Sequence, residues 1–350
     1  MKVLVTGHRG YIGATLVPKL LAEGFQPIGM DSDLFRACNF GEPITEIPTI
    51  SKDVRDACVE DFEGVEAVLH LAGLSNDPLG EIDPDLTYDI NFKASVNLAK
   101  LAKKAGVRKF VFSSSCSTYG AGGEGLKTEE SEFNPVTPYG KSKVMAEEEV
   151  SKLADDSFSP TYLRNATAYG VSSRLRFDLV VNNLTAWAYA TGKVHLKSDG
   201  SAWRPLVHID DISQAFIAVL KAKTEEVHNE AFNVGAPGEN YRVREIAELV
   251  KAAVPNSDLR FADGAAADSR CYRVSFEKIM TRLEHYKPEW NVRKGIEQCL
   301  FAYRDQGVTL EQFEGPKYQR LAHIIEQMEN GLIDSKLRFV AEAASTLNAR

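Results

Sequence analysis

After its initial methionine the chain runs Lys2-Val3-Leu4-Val5-Thr6-Gly7-His8-Arg9-Gly10-Tyr11-Ile12-Gly13. Val3, Leu4 and Val5 read as a short buried strand, and a helical pattern follows through Leu20 and Leu21 to Gly24. Glycines at 7, 10 and 13 permit a tight turn, let backbone N–H groups approach a pyrophosphate at the helix N-terminus, and let strand and helix pack closely. A glycine turn with only a structural task requires neither the strand before it nor the helix after it. The stretch therefore predicts the opening unit of a dinucleotide-binding fold.

The same rhythm continues outward. Apolar, β-rich runs at Pro27–Met30, Ala67–Leu71, Lys109–Phe112 and Thr161–Leu163 alternate with longer helical patterns. This alternation predicts an α/β chain with a doubly wound parallel-sheet Rossmann domain. Helices are expected from Leu86 to Ala105, closed by Gly106, and from Pro138 to Leu153, with Thr137 as N-cap and Pro138 in the first turn. Beyond Gly170 the pattern is less regular, with helices near Leu179–Ala190, Ile212–Leu220, Val243–Ala253 and Gln319–Asn330. The expected organisation is a dinucleotide-binding domain over 1–170, to which the chain returns around 206–235. Residues 171–350 would form mainly a smaller mixed α/β substrate domain with a C-terminal helical extension. Ala262–Asp268 reads as a flexible loop.

Composition narrows the function classes. With 350 residues, 44% hydrophobic and 26% charged, the chain lies in the ordinary globular range and is long enough to enclose a pocket. Its net charge of −8, with no run of Lys and Arg, argues against nucleic acid as a partner. Cys38, Cys58, Cys116, Cys271 and Cys299 are odd in number, widely spaced and never paired as CxxC, so no disulfide framework and no metal site is expected. The opening apolar run is too short for a signal-peptide core, and no stretch reaches the about 18 apolar residues of a membrane span. A cytoplasmic protein with no membrane partner is the expectation.

Two further patterns carry chemistry. Asp31, at the end of the second strand, is placed to accept hydrogen bonds from adenosine ribose hydroxyls and to repel a 2′-phosphate, which favours NAD over NADP. A turn-capping role for Asp31 is the alternative, and Arg36 is close enough in sequence to attract a phosphate. Asp53-Val54 would meet the adenine edge, although a helix N-cap accounts equally well for Asp53. Downstream, Ser113-Ser114-Ser115 at a strand end precedes Tyr139-Gly140-Lys141-Ser142-Lys143 at a helix start. Tyr139 and Lys143 share one helical face, and a cation there favours phenolate over phenol, as a general base requires. Ser115 could bond the same substrate oxygen. Tyr189 and Lys193 repeat the spacing, but Gly192 and the missing serine-rich strand end mark that pair as a helix terminus.

These residues resemble the extended short-chain dehydrogenase/reductase family, in its nucleotide-sugar epimerase and dehydratase branch. The resemblance covers the chain to about residue 300. It rests on Thr6-Gly7-x-x-Gly10-x-x-Gly13, Asp53-Val54-Arg55-Asp56, His70-Leu71-Ala72-Gly73, Ser113-Ser114-Ser115, Tyr139-x-x-x-Lys143, Arg164 to Tyr169-Gly170 and Arg204-x-x-Val207-His208-x-x-Asp211. It implies a bound NAD held by Gly7, Gly10, Tyr11, Ile12, Gly13, Asp31, Asp53, Val54, Leu71 and Ala72, with Tyr139 and Lys143 also against it. It implies catalysis by Ser115, Tyr139 and Lys143, with Tyr139 as acid/base on a sugar hydroxyl and Lys143 on the nicotinamide ribose. For the nucleotide-sugar substrate it implies Ser115, Asn165, Asn183, Arg204 and Arg270, the arginines holding the pyrophosphate through their bidentate fork. A solvated ion pair is the alternative for either arginine. A homodimer is also implied.

Residues 116 and 117 bear on the reaction. Dehydratase members resemble Thr-Asp-Glu after the serine, and decarboxylating members keep a glutamate; here Cys116 and Ser117 stand there, poor substitutes for a carboxyl pair. What remains is redox chemistry at one carbon. The leading expectation is a nucleotide-sugar epimerase acting at C4 through a keto sugar. The alternatives are a 4-keto-sugar reductase or dehydrogenase, and a dinucleotide-binding sensor or scaffold without turnover. Two departures from the family pattern are visible: Thr167 replaces the usual asparagine, for which Asn165 or Asn182-Asn183 would substitute, and the segment from about Gly307 extends beyond the pattern. That segment reads as an amphipathic surface helix, with a lid or subunit contact as alternatives.

Overall fold

The computed structural model describes residues 1–75, 83–123, 125–262, 264, 268 and 270–340. The chain forms β1 (Lys2–Thr6), β2 (Gln26–Asp31), β3 (Thr49–Ser51), β4 (Ala67–His70), β5 (Lys109–Ser115), β6 (Leu126–Lys127), β7 (Ser159–Asn165), β8 (Thr167–Tyr169), β9 (Lys193–Leu196), β10 (Trp203–His208), β11 (Glu230–Val234), β12 (Asn240–Arg242), β13 (Asp258–Phe261) and β14 (Arg273–Val274). Seven of these make one parallel sheet in the order β11-β7-β5-β4-β1-β2-β3. Helices cover both faces, so β1, β4 and β7 are buried along nearly their whole length, and β1 and β4 carry the apolar runs Val3–Val5 and Ala67–Leu69 for that reason. The strand order reverses direction between β1 and β4, and the crevice outside the carboxyl ends of the strands at such a point is where α/β sheets bind ligands.

The expected fold class agrees with this sheet, and the differences lie in the details. The helix expected from Leu86 begins earlier, where Asp83 accepts the Leu86 N–H at 2.9 Å and Pro84 occupies the first turn. It runs through Pro84–Thr87, a π-turn at Tyr88–Lys93, and Ala94–Lys104. Inside that wide turn Asn91 is buried and clamps Leu74, accepting from its N–H at 2.7 Å and donating to its carbonyl at 2.8 Å. Pro138–Ser151 forms as expected, with Thr137 Oγ1 accepting the Gly140 N–H at 3.1 Å.

The remaining strands build smaller sheets, β12-β10-β8 and β13-β9, which pack with the helices Val180–Thr191, Val243–Ala253 and Val292–Asp305 around a core of Tyr169, Leu184, Leu206, Ile246 and Ile296. A fourth ribbon pairs β14 with β6. Of the loop expected at Ala262–Asp268, Asp263 and Ala265 to Ala267 lie outside the described residues.

The segment after Gly307 corrects its reading as a surface helix. It contains the helices Leu310–Glu314 and Arg320–Glu329, and Phe313, Tyr318, Ile324, Ile333 and Leu337 are all buried. Phe313 and Tyr318 join Phe40, Phe177 and Tyr303, while Ile324, Ile333 and Leu337 pack on Leu74, Leu86 and Ile90. Periodicity shows that a helix has an apolar face but not how far the chain folds back to cover it. Among the described residues no helix is long and apolar enough to cross a membrane.

Candidate active site

The register Thr6↔Met30, Thr6↔His70 and Ser115↔Asn165 brings most of the sequence-predicted residues to one edge of the sheet. Gly7 sits there at φ +72°. A Cβ on it would lie 2.7 Å from the Ala72 nitrogen, and one on Gly13 would lie 2.4 Å from the Gly7 oxygen. Gly10 caps the helix Tyr11–Ala22 without a side-chain acceptor for the first-turn N–H groups. Close backbone approach and a helix N-terminus without a side-chain cap fit the pyrophosphate of NAD. Leu71 and Ala72 stand over this turn, their N–H groups donating to the Thr6 carbonyl and Oγ1 at 3.1 and 3.3 Å. Beneath them His70 is fully buried between Thr6 Oγ1 at 2.6 Å and Ser95 Oγ at 2.8 Å, and burial pushes its imidazole down to about 3. It is therefore neutral and structural. The Tyr11 side chain points away to donate to the Gly170 carbonyl at 2.7 Å, and its backbone carbonyl accepts the Ser172 hydroxyl at 2.9 Å. Ile12 packs against the core on either side of the helix.

Asp31 ends β2 with both oxygens in use, accepting the N–H of Arg9 at 2.9 Å and of Asp33 at 2.8 Å. Burial raises its carboxyl, and those two N–H groups oppose the rise. The turn-organising reading is thus what these bonds show, and the position at the end of β2 is the one the ribose-binding expectation names. Arg36 lies over Phe339 at 4.7 Å, a contact that occupies its guanidinium. We expect Asp31→Asn to weaken NAD binding by about 10-fold or more, the scale of a lost charge-assisted hydrogen bond, and to relax discrimination against NADP. Titration of both dinucleotides by calorimetry checks this, and tighter NADP than NAD binding by the parent would contradict the role of Asp31. Asp53 caps a short turn through Arg55 N–H at 2.8 Å and pairs with the Arg55 guanidinium at 2.7 Å. Burial alone would raise its carboxyl, but the Arg55 bonds prevail and hold it low. Val54 beside it is buried.

β5 delivers Ser115 at its end, where Oγ accepts the Ser117 N–H at 3.1 Å. On the facing helix Lys143 is 4% exposed, donates to the Ser113 carbonyl at 2.8 Å, and sits 5.7 Å from the Tyr139 ring centroid and 4.5 Å from that of Phe112. Burial lowers its ammonium to about 8, opposed by the Glu147 carboxylate one turn on. Such a cation favours the phenolate of Tyr139 while it is charged. Lys143 loses that charge as pH rises through about 8, so kcat/KM should fall on an alkaline limb centred there. Lys143→Met should show a low rate with no such limb in a pH profile from 6 to about 10.

Asn165 lies beside this pair, its Nδ2 donating to Ser113 Oγ at 3.1 Å. Its Oδ1 is buried without a partner among the described residues. Arg204 and Arg270 come together on one carboxylate, both paired with Asp268 at 2.6 and 2.8 Å. Burial would raise the Asp268 carboxyl, but Arg270 and Arg204 hold it low. Asn183 instead donates to the Phe177 carbonyl at 2.8 Å, and Asn182 to the Arg176 carbonyl at 2.9 Å while accepting the Gly170 N–H. Those contacts engage the side-chain amides of both asparagines within the protein, Asn182 also reaching the Tyr11 hydroxyl at 3.3 Å. Cys116 is buried with its thiol toward the Arg164 carbonyl at 3.1 Å, and burial pushes that thiol well above its usual range. No elimination chemistry is available from it.

Sequence reasoning missed Asn91, which lies below Lys143 near Gly73, and Arg176, which holds Ser75 through Oγ at 2.7 Å and lies close enough to Tyr139 for the two to interact electrostatically. It also missed Glu147, which receives Arg164 at 2.7 Å and the Ser114 hydroxyl. Asn91 and Arg176 act across loops, and no local spacing announces them.

The fold and the residues gathered at the carboxyl edge of its sheet define an α/β protein of the dinucleotide-binding class with a tyrosine–lysine pair beside the glycine turn. The profile of the NAD dependent epimerase/dehydratase family matches residues 3–235. The UDP-glucose 4-epimerase of Lactobacillus helveticus is 31% identical over 276 residues, 72% of this chain and 81% of that protein. That of Bacillus subtilis is 27% identical over 343 residues, 90% and 99% of the two chains. The structure of Thermotoga maritima UDP-glucose 4-epimerase with UDP-glucose superposes with a TM-score of 0.74 at 24% identity, covering 88% of this chain and all of that one. Dehydratase structures share the fold as well. The chain belongs to the NAD dependent epimerase/dehydratase family, and NAD is its cofactor.

Proposed function

We propose that the protein is a nucleotide-sugar 4-epimerase. The observation that carries this reading is the pairing of an intact Ser115–Tyr139–Lys143 site with Cys116 and Ser117, a buried thiol and hydroxyl, where an eliminating enzyme needs carboxyl groups. The relatives named as UDP-glucose 4-epimerases support the substrate class. Arg204 and Arg270 would hold the diphosphate, exchanging Asp268 for phosphate oxygens. Asn165, with its unpartnered oxygen beside Ser113, would hold a sugar hydroxyl.

In this reading Tyr139 accepts the proton of the C4 hydroxyl while Lys143 stabilises the phenolate and Ser115 bonds the same oxygen. NAD, which the Gly7–Gly13 turn and Asp31 would hold, would supply reversible hydride chemistry beside C4. The resulting 4-keto sugar turns over within the pocket, C4 is reduced from the opposite face, and Tyr139 returns the proton to the oxygen. Protons and hydride balance within one turnover, so no external reductant is consumed.

Incubation with C4-deuterated UDP-hexoses, without added cofactor and followed by mass spectrometry and NMR, tests this. Retained deuterium in a C4-inverted product is expected. No turnover of any hexose, together with NADH oxidation by a 4-keto nucleotide sugar, would replace the epimerase by a ketoreductase.

A further inference from the structure

The C-terminal segment closes on a particular place. Three loops leave the carboxyl edge of the sheet after β2, β3 and β4, starting at Asp31 and carrying Asp53-Val54 and Leu71-Ala72, residues that the resemblance assigns to NAD, with Asp31 and Asp53-Val54 on its adenosine half. Residues 320–339 touch all three.

On the β2 loop, the Leu34 carbonyl lies 3.2 Å from His323 Nε2 and accepts from Gln327 Nε2 at 2.9 Å. Arg320 lies 4.0 Å over the Phe35 ring and donates to the Arg174 carbonyl, and Arg174 in turn pairs with Asp33 at 2.9 Å. Arg36 completes this side against Phe339. On the β3 loop, Arg338 pairs with Asp56 and stands 3.7 Å from Asp53, while Arg55 donates to the Lys336 carbonyl at 2.9 Å. Near the β4 loop, Ile324, Ile333 and Leu337 bury Leu74 with Leu86 and Ile90.

A tail with a merely structural role would be expected to seal apolar surface anywhere. This one converges on the loops of a single ligand site, from nearly 290 positions away in sequence for His323 and Leu34. It uses polar contacts to their backbone as well as apolar cover.

We infer that residues 320–339 are a clasp that positions the adenosine loops and slows NAD release, with Arg338 as the positioning residue for Asp53. The inference rests on the assignment of Asp31 and Asp53 to NAD. For the dinucleotide to leave adenosine first, the β2 and β3 loops must spread. The clasp ties each of them to the same segment, so neither spreads without detaching Arg338 or lifting Leu337 and Ile333 out of their cluster. An enzyme that takes and returns a hydride on one cofactor molecule gains from keeping that molecule.

The experiment is the rate at which the purified, NAD-loaded full-length protein exchanges its cofactor for fluorescent 1,N6-etheno-NAD. Removal of residues 331–350 should speed release by about tenfold or more, and Arg338→Glu by about threefold or more, since rates of leaving carry most differences in affinity and partly exposed ion pairs are individually modest. Adding Asp56→Arg to Arg338→Glu should bring the rate back toward that of the parent, which general loosening of the fold would not do. Melting temperature is recorded for each variant in saturating NAD. Should the shortened chain not fold, the two point variants decide. Release within about twofold of the parent in Arg338→Glu, at an unchanged melting temperature, would overturn the clasp. Asp31→Asn, run in parallel, separates the two ideas: a loss of NAD affinity there with no change in Arg338→Glu rejects the clasp alone, and no change in either rejects the cofactor assignment with it.

Discussion

Replacing Tyr139 by phenylalanine is expected to lower turnover by about 10² or more while the protein stays folded and loaded with NAD. The ring is kept, so its packing with Lys143 is kept, and Lys143 is held by the Ser113 carbonyl rather than by the phenol. What is lost is the phenolic hydroxyl that the proposed mechanism uses to take the substrate proton and give it back. The measurement is kcat for C4 inversion, with NAD content read from the supernatant of denatured protein. Turnover close to normal would mean that another group serves as the base. Loss of NAD together with turnover would mean that the ring holds cofactor rather than moving a proton.

Glu147→Ala should destabilise the fold by about 3–5 kcal/mol, the usual result of leaving a buried charge without its partner. Arg164 and Glu147 are 6% and 5% exposed, and their paired atoms are 2.7 Å apart. The guanidinium also donates to Tyr119 Oη at 3.0 Å and to the Glu129 carbonyl at 2.9 Å, and although burial acts to lower it, Glu147 foremost and Tyr119 after it hold it up. Removal of Glu147 also strands the Ser114 hydroxyl. Urea denaturation gives the loss, and the double variant Glu147→Leu with Arg164→Met should recover much of it, because the uncompensated charge is then gone. There is a catalytic signature too. Glu147 supports the charge on Lys143, so the alkaline limb of the Glu147→Ala variant should fall below that of the parent.

The two predictions draw on residues of unequal visibility. Tyr139 and Lys143 were legible because a helix repeats every 3.6 residues, which makes a spacing of four a statement about space. The parallel strands were legible for a related reason: burial on both faces writes itself as an unbroken apolar run. Glu147 satisfies the same helical arithmetic one turn beyond Lys143, but an acid on a helix is so commonly a solvated one that nothing marked it as buried. The π-turn at Tyr88–Lys93 was invisible because one extra residue in a helix barely disturbs its apolar pattern, and its cause, the bond of Asn91 to Leu74, crosses a loop. Asn183 shows the converse. Its position suggested a substrate contact, yet its side chain answers a carbonyl six residues earlier. The strands of two to four residues in the second half are too short to set up a period at all, and partners elsewhere in the chain define them.

The place of β11 in the sheet bears on how the chain is made. β7 lies between β5 and β11 and is buried along its whole length, but β11 is reached only after residues 166–229 have built β8, β9, β10 and the helices between them. A nascent chain that has emerged only as far as β7 therefore presents Ser159–Asn165 as a bare, unpaired edge, the kind of strand that pairs with neighbouring molecules. Synthesis at about 5–20 residues per second leaves that edge open for several seconds before Glu230–Val234 arrives. During that interval the protein depends on dilution or on a chaperone, and fragments ending near residue 165 should come down in inclusion bodies while the full chain does not.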